Sequence, residues 1–525
     1  MAAVHSRRQF LSDVGKGVLV ASLGPALAAE LAVGAEGLVT AAGAEPAAPI
    51  TFGDMEALVC LMQETPVQRL LPVLVEKLRT GTDLRQLVAA AAFANARTFG
   101  GEDYVGFHTL MALAPAYHMS RELPSGRQAL PVLKVLYRNT NRIQETGGRG
   151  HEVLHRVSPS HPPAGRVGGE ALRDAVRAKD MARAEATFAA LSTCDADDAF
   201  NDLLYAVQDH TEVHRVVLPY RAWDLLDLVG KEHAHALLRQ SVRYCVKAEG
   251  WQRSPEGDAP RTLLPKVMEQ HKLLGRTPGD RPAEDKWVAE MSATIFAASP
   301  EQAAEAVAAA LAEGMSPAAV GEAVSLAANQ LVLRDMGRPP TQEVAGKPIG
   351  SIHGDSIGVH ACDSANAWRN MARVSNDRNR YACLILGAYQ VALDHVQRGG
   401  DFLHWQPLPL PQHVERVKAT DAPTLLRDLD EAVRGNLQAR AAAVVQRYGD
   451  QGHDPRGIFD VLLGYAVSED GALHAEKYFR TAQEEHSAAR PPHRGLYLVA
   501  LTRVMASQQG FPAPGCEEAR KLLAS

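Results

Sequence analysis

Apolar residues recur along this chain at the three- and four-residue spacing of amphipathic helices, and one such pattern returns several times. The clearest pair sets Phe200-Asn201-Asp202-Leu203-Leu204-Tyr205-Ala206-Val207 against Phe459-Asp460-Val461-Leu462-Leu463-Gly464-Tyr465-Ala466-Val467. A related run opens at Gly314-Met315-Ser316-Pro317 and continues through Ala323, Val324 and Leu326. Another opens at Gly81-Thr82-Asp83-Leu84 and continues through Leu87, Val88 and Phe93. Each begins on a residue whose side chain can accept from the free N–H groups of a first helical turn: Asp83, Asp195 or a neighbouring Asp, Ser316 and Asp454. Pro317 and Pro455 stand just inside, where a missing N–H costs nothing.

A histidine follows every run. His108, His214, His360 and His474 are separated by 106, 146 and 114 residues. Beyond three of them comes a small residue and an aromatic one, Ala116-Tyr117, Ala222-Trp223 and Ala367-Trp368. A further apolar helix then follows each, over 129–137, 234–246, 381–393 and 496–504. One unit is therefore a capped helix, a turn, a histidine-bearing helix and a third helix. Pro/Gly-rich stretches at 158–169, 250–260, 337–351 and 405–412 separate the units. Units that cannot bury their apolar faces alone must pack together. The pattern predicts an all-α fold, a multi-helix bundle of about four divergent helical repeats around a shared centre. It forms a single large domain over 50–525, with units near 50–150, 170–250, 285–395 and 420–510.

Composition agrees. The 525 residues are 46% hydrophobic, enough for a large core, and only 6% aromatic, with alanine-rich runs that favour helix. The formal charge is −6 and no Lys/Arg block stands out, which argues against nucleic acid as a partner. Six cysteines in 525 residues exclude a disulfide-built scaffold. Cys362 and Cys383 are positioned to pair only if their helices are neighbours.

The N-terminus reads as an address. Ser6-Arg7-Arg8-Gln9-Phe10-Leu11 matches the twin-arginine pattern, an apolar stretch runs from Gly17 to Leu27, and Ala26-Leu27-Ala28 suits cleavage. Residues 1–28 are read as a twin-arginine signal peptide and 29–49 as an Ala/Pro-rich tether. The expected partner during export is the twin-arginine translocon, and the destination is the periplasm or beyond. The apolar stretch is too short for stable membrane insertion. That route carries folded proteins, often with a cofactor in place, so it raises the prior for a bound metal or redox group.

The candidate site is the histidine quartet. Five residues before each histidine stands an acid: Asp103, Asp209, Asp355 and Glu469. In a quasi-symmetric bundle equivalent positions point at one axis. The expectation is a divalent transition-metal site of His108, His214, His360 and His474, with the four acids orienting the rings from outside. All-nitrogen ligation favours iron, with copper or zinc as alternatives, and leaves haem open. A competing motif is His151-Glu152-Val153-Leu154-His155 followed by His161, the spacing of a zinc metalloprotease. Glycines before it and prolines after it leave little room for the helix such a site needs, so it is read as linker. His233-Ala234-His235 is read as surface.

The histidine followed by Ala222-Trp223, and by Asn366-Ala367-Trp368-Arg369, resembles helical repeats of twin-arginine-exported bacterial proteins, and is distantly similar to the questin oxidase-like family. That resemblance implies an α-helical protein and oxygen-dependent oxidation of a small organic substrate. It assigns no catalytic residue here, and no nicotinamide fingerprint is visible. Three functions follow: an exported metal-dependent oxidoreductase using the quartet; a non-catalytic protein holding a small ligand or haem between helices; and a zinc metalloprotease using His151, Glu152 and His155.

Export is testable by itself. With Arg7→Lys and Arg8→Lys together, fractionation should find the uncleaved precursor folded in the cytoplasm, while unchanged export would show the signal to be of another kind.

Overall fold

The computed structural model describes residues 48–251, 254–344, 347–354, 356–399 and 401–525. The twin-arginine motif, the tether up to residue 47 and Asp355 lie outside the described residues. Among the described residues 72% are helical, in 24 α-helices and short 3-10 turns, with no strand. It is an all-α multi-helix bundle.

Twelve of these helices carry the argument, and they fall into four sequential triplets. They are α1 (Leu84–Phe99), α2 (Tyr104–Ser120) and α3 (Leu130–Glu145); α4 (Ala196–Val207), α5 (Val213–Val229) and α6 (Ala234–Ala248); α7 (Pro317–Leu333), α8 (Ile357–Val374) and α9 (Asp377–Arg398); and α10 (Arg456–Ser468), α11 (His474–Ala488) and α12 (Pro491–Gln508). The caps act as expected. Asp83 accepts from Arg85 N–H in a capping box with Gln86, Asp195 accepts from Asp197 N–H, and Ser316 accepts from Ala319 N–H. Asp454 accepts from Arg456 N–H, but it stands one residue ahead of the N-cap, which is Pro455, so that proline lies just outside α10 and not inside it.

Ahead of each triplet the chain adds a further pair of helices. These are Glu56–Glu64 with Val67–Arg79, Gly168–Arg177 with Met181–Leu191, Asp285–Ala297 with Pro300–Ala312, and Ala422–Arg434 with Gln438–Asp450. These pairs lie at the start of the stretches read from the sequence as units, ahead of the three helices that the repeat pattern marks. Sheath helices such as Gly168–Arg177 bury one stripe only: Gly169, Ala171, Leu172, Ala175 and Val176. In contrast, α2 is buried continuously from Gly106 to Ala116. A helix buried all round has no polar face to betray its position, which is how the innermost helices differ from the sheath.

The second helix of each triplet lines the centre. Helix α2 packs on α5, α5 on α8, α8 on α11, and α11 back on α2, closing a ring. The four run parallel. Matching turns face one another: Arg221 of α5 donates to Thr481 of α11, each seven residues past its histidine, and Asn370 of α8 donates to Glu484 of α11, each ten past. Parallel neighbours cannot be joined by tight turns, so the outer helices serve as crossovers and as the sheath. One continuous apolar core runs through the whole assembly, from Phe52 to Ala519.

Cys362 and Cys383 are buried free thiols, on the adjoining helices α8 and α9. The segment His233–His235 is not surface. His233 packs against Phe93 at 4.5 Å between ring centroids, and His235 stacks on Phe188 at 6.0 Å. Among the described residues no helix is long and apolar enough to cross a membrane.

One buried ion pair ties the ring to its sheath. Lys134 of α3 lies 2.6 Å from Glu476 of α11, both side chains fully buried, and donates to the Ala466 and Glu469 carbonyls at the end of α10. Removing one partner strands the other's charge. Lys134→Ala should cost about 3–5 kcal/mol, read from the urea midpoint, and a loss below about 1 kcal/mol would mean that water reaches Glu476.

Candidate histidine centre

Each of the four ring helices carries its histidine within its first five residues, at position five, two, four or one of α2, α5, α8 and α11. Because the helices are parallel and in register, the four rings meet at one end of the ring. His108 Nε2 lies 3.3 Å from His214 Nε2, and His360 Nε2 lies 3.2 Å from His474 Nε2. Ring centroids are 4.8 Å apart for His108–His214, 6.0 Å for His214–His360, 5.3 Å for His360–His474 and 5.1 Å for His474–His108. The sequence-predicted quartet is therefore brought together, as two nitrogen-to-nitrogen pairs. Among the described residues, no group of three or more His, Cys, Asp or Glu side chains stands in a ready-made metal-holding geometry.

The outer nitrogens explain how the first pair is oriented. His108 Nδ1 is 2.8 Å from the Tyr104 carbonyl, and His214 Nδ1 is 2.6 Å from Glu212 Oε1. Neither partner can donate, so each Nδ1 carries a hydrogen. In their neutral forms both rings then present a bare lone pair at Nε2, and these lone pairs face each other. Glu212 is well anchored, accepting also from the His214 and Arg215 amides and the Tyr244 hydroxyl. Burial alone would raise its pKa; His214 beside it and these donors hold it below the ordinary carboxylate range.

Burial, reinforced by the charge of Lys477, keeps His108 and His474 well below the usual histidine pKa and therefore neutral. The ring of Tyr104 lies 4.4 Å from His108 and that of Phe107 lies 5.1 Å from His214, walling the pair. His474 is set by unusual backbone: Ala472 (φ 48°) and Leu473 (φ 66°) are consecutive non-glycine residues in the left-handed region. Such strain persists only where surrounding structure enforces it. Gly354 packs so closely on His474 that a side chain there would collide with the His474 Cβ.

The acids predicted to orient the rings have other work. Asp103 caps α2 through Gly106 N–H and pairs with Arg142 at 2.6 Å. Asp209 pairs with Arg177 at 2.6 Å. Glu469 accepts from the Gly510 and Phe511 amides. A guanidinium or an amide pair satisfies each carboxylate, so none of the three holds a histidine, and Asp355 lies outside the described residues. Glu212 and the Tyr104 carbonyl take the role instead. The sequence signal for Glu212 was its place two residues before His214, where an N-cap belongs.

His151, Glu152, His155 and His161 lie in an irregular segment that contains no helix. Glu152 pairs with Arg97 at 3.2 Å and Arg149 at 3.4 Å, while His151 and His161 are exposed. The i, i+4 histidine pair of a protease helix does not form, which removes the geometric basis for the zinc-protease reading.

Beneath the histidines the ring's interior carries polar groups among apolar ones, Met111 and Val217 in the first layer and Pro115 and Ala367 in the second. Three residues on from the histidines stand Asp363 and Lys477; seven on, Arg221 and Thr481; ten on, His118, Asp224, Asn370 and Glu484. All but the last layer are buried. The signal was present in the sequence as the i+3, i+7, i+10 positions, but only with the parallel register does it become one column.

Comparison with family models, with curated proteins and with solved structures finds no match to this chain.

His118, at the outer end of the column, gives a pH test. Burial, helped by the Arg480 charge, lowers its pKa from 6.5 to about 4. The folded value lies below the unfolded one, so its contribution is full above pH 6.5 and is lost as pH falls toward 4. His118→Gln, neutral throughout, should flatten the decline in urea midpoint between these limits. An unchanged slope would show His118 to be freely solvated.

Proposed function

We propose that the histidine quartet is the transition-metal centre of an exported oxidoreductase acting on a small organic molecule. The observation that carries this reading is the His108–His214 pair. Both Nδ1 hydrogens are committed outward, so two Nε2 lone pairs face each other at 3.3 Å, a repulsive arrangement unless a cation sits between them. Two nitrogens bound to one tetrahedral ion at about 2.0–2.1 Å each would stand about 3.3–3.4 Å apart. The His360–His474 separation of 3.2 Å is close to the same edge. A carboxylate behind a ring, as Glu212 stands behind His214, is the usual support of a metal-bound histidine.

The donor set is all imidazole, which suits iron or copper, with zinc and nickel also accommodated. A bound iron or copper ion supplies one-electron chemistry toward dioxygen. The chain's own part is to hold four imidazoles together, with His108 oriented by the Tyr104 carbonyl and His214 by Glu212. Export in the folded state, supported by Ser6–Leu11, fits a metal inserted before translocation.

Metal content tests the reading. The wild-type chain, expressed with iron, copper, zinc and nickel supplied, should retain about one ion per chain by mass spectrometry. His214→Ala should lose most of it, and Glu212→Gln should weaken affinity by roughly 10–100-fold. His233→Ala should keep it. Metal-free wild-type protein whose ¹⁵N spectrum shows one proton shared between His108 and His214 would instead make the pair a proton trap.

A further inference from the structure

Two lysines are buried in this protein's centre, and they are treated very differently. Lys134 has three partners: Glu476 and the carbonyls of Ala466 and Glu469. Lys477, 3% exposed, sits one turn below His474 on α11, and no hydrogen bond or ion pair reaches its ammonium among the described residues. A buried, unpartnered ammonium destabilises a fold. A methionine of similar length would serve packing better.

The surroundings of Lys477 are equally specific. It shares one face of α11 with His474, Thr481 and Glu484, and Thr481 meets Arg221 of α5 and Asp363 of α8 while Glu484 meets Asn370 of α8, so this face looks into the ring. Asp363, 3% exposed, accepts from the Thr481 hydroxyl at 2.7 Å and lies beyond ion-pair distance of the lysine. Arg221, 1% exposed, donates to the same hydroxyl and has Asp224 at 3.5 Å. The column then grades toward solvent through Asp224, Glu484 and Arg480, whose side chains are 14%, 18% and 24% exposed.

We infer that Lys477 is a nucleophilic lysine that captures a small aldehyde or ketone as an imine, with Asp363 as its proton acceptor. The inference does not depend on the histidines holding a metal. The lone pair of the neutral Lys477 amine forms a C–N bond to the carbonyl carbon as the C=O π pair moves to oxygen. The nitrogen's proton passes through one intervening water to the Asp363 carboxylate and on to that oxygen. The oxygen then leaves as water while nitrogen completes the C=N bond. Atoms balance as amine plus carbonyl giving imine plus water, with no net oxidation. The environment shifts the amine toward its neutral form without removing its charge altogether. Burial lowers the lysine's pKa to about 8, with Asp363 and Glu476 pulling upward and Arg221 pushing down.

The test uses the full chain and acetaldehyde, with cyanoborohydride present to reduce any imine to a stable ethyl-lysine. Peptide mass spectrometry at pH 7 and short times should find Lys477 alkylated about ten-fold or more faster than Lys286 and Lys521, whose side chains are 81% and 76% exposed. Asp363→Asn should slow Lys477 and leave those two unchanged. The wild-type rates decide even where that variant fails to fold. Lys477 unmodified, or reacting no faster than the surface lysines, overturns the inference. Metal content is read separately, so loss of the metal reading leaves this result standing.

Discussion

Everything at the centre of this protein depends on four helices being parallel. Parallel helices in contact bring their first turns to one end, and with them four histidines, four sets of free N–H groups and the positive ends of four helix dipoles. Such a ring cannot be closed by short loops. Each return to the starting end needs a crossover, and the remaining helices supply it. The sheath is therefore a consequence of the ring, and the large chain length a consequence of the sheath.

The convergence has an electrostatic cost that shapes the site. Positive helix ends, Lys477 and burial all disfavour imidazolium, so His108 and His474 remain neutral bases. Among the described residues, the carboxylate hydrogen-bonded to the quartet is Glu212, delivered by the N-cap of α5 and fixed by four donors. A neutral imidazole with its outer N–H held is a ligand or a base. The layer below, with Lys477 and Asp363 unpaired to each other, departs equally far from an ordinary helical core, which would be leucine and alanine. Stability is supplied elsewhere, by the alanine-rich contacts of the sheath and by ion pairs such as Lys134–Glu476.

Much of this was legible in the residues. The caps at Asp83, Asp195 and Ser316 mark helix starts because a short acceptor side chain satisfies N–H groups wherever it stands. The quartet was legible because four histidines occupy one place relative to four similar runs. The supporting acids were misread for a physical reason. Asp103, Asp209 and Glu469 sit at a constant offset, but a carboxylate near a helix start is equally suited to capping and to a guanidinium. Arg142 and Arg177, distant in sequence, claim two of them. The segment around His151 was rightly read as linker, since glycine and proline act locally.

The sequence by itself determined what local chemistry determines: helix, cap, linker and the equivalence of the four histidine positions. Only the tertiary structure decided which nitrogens face each other, and that Lys134 is partnered while Lys477 is not. Those outcomes depend on the register of helices more than 100 residues apart along the chain. Register is set by the packing of side chains from different units, which no single stretch of the chain contains.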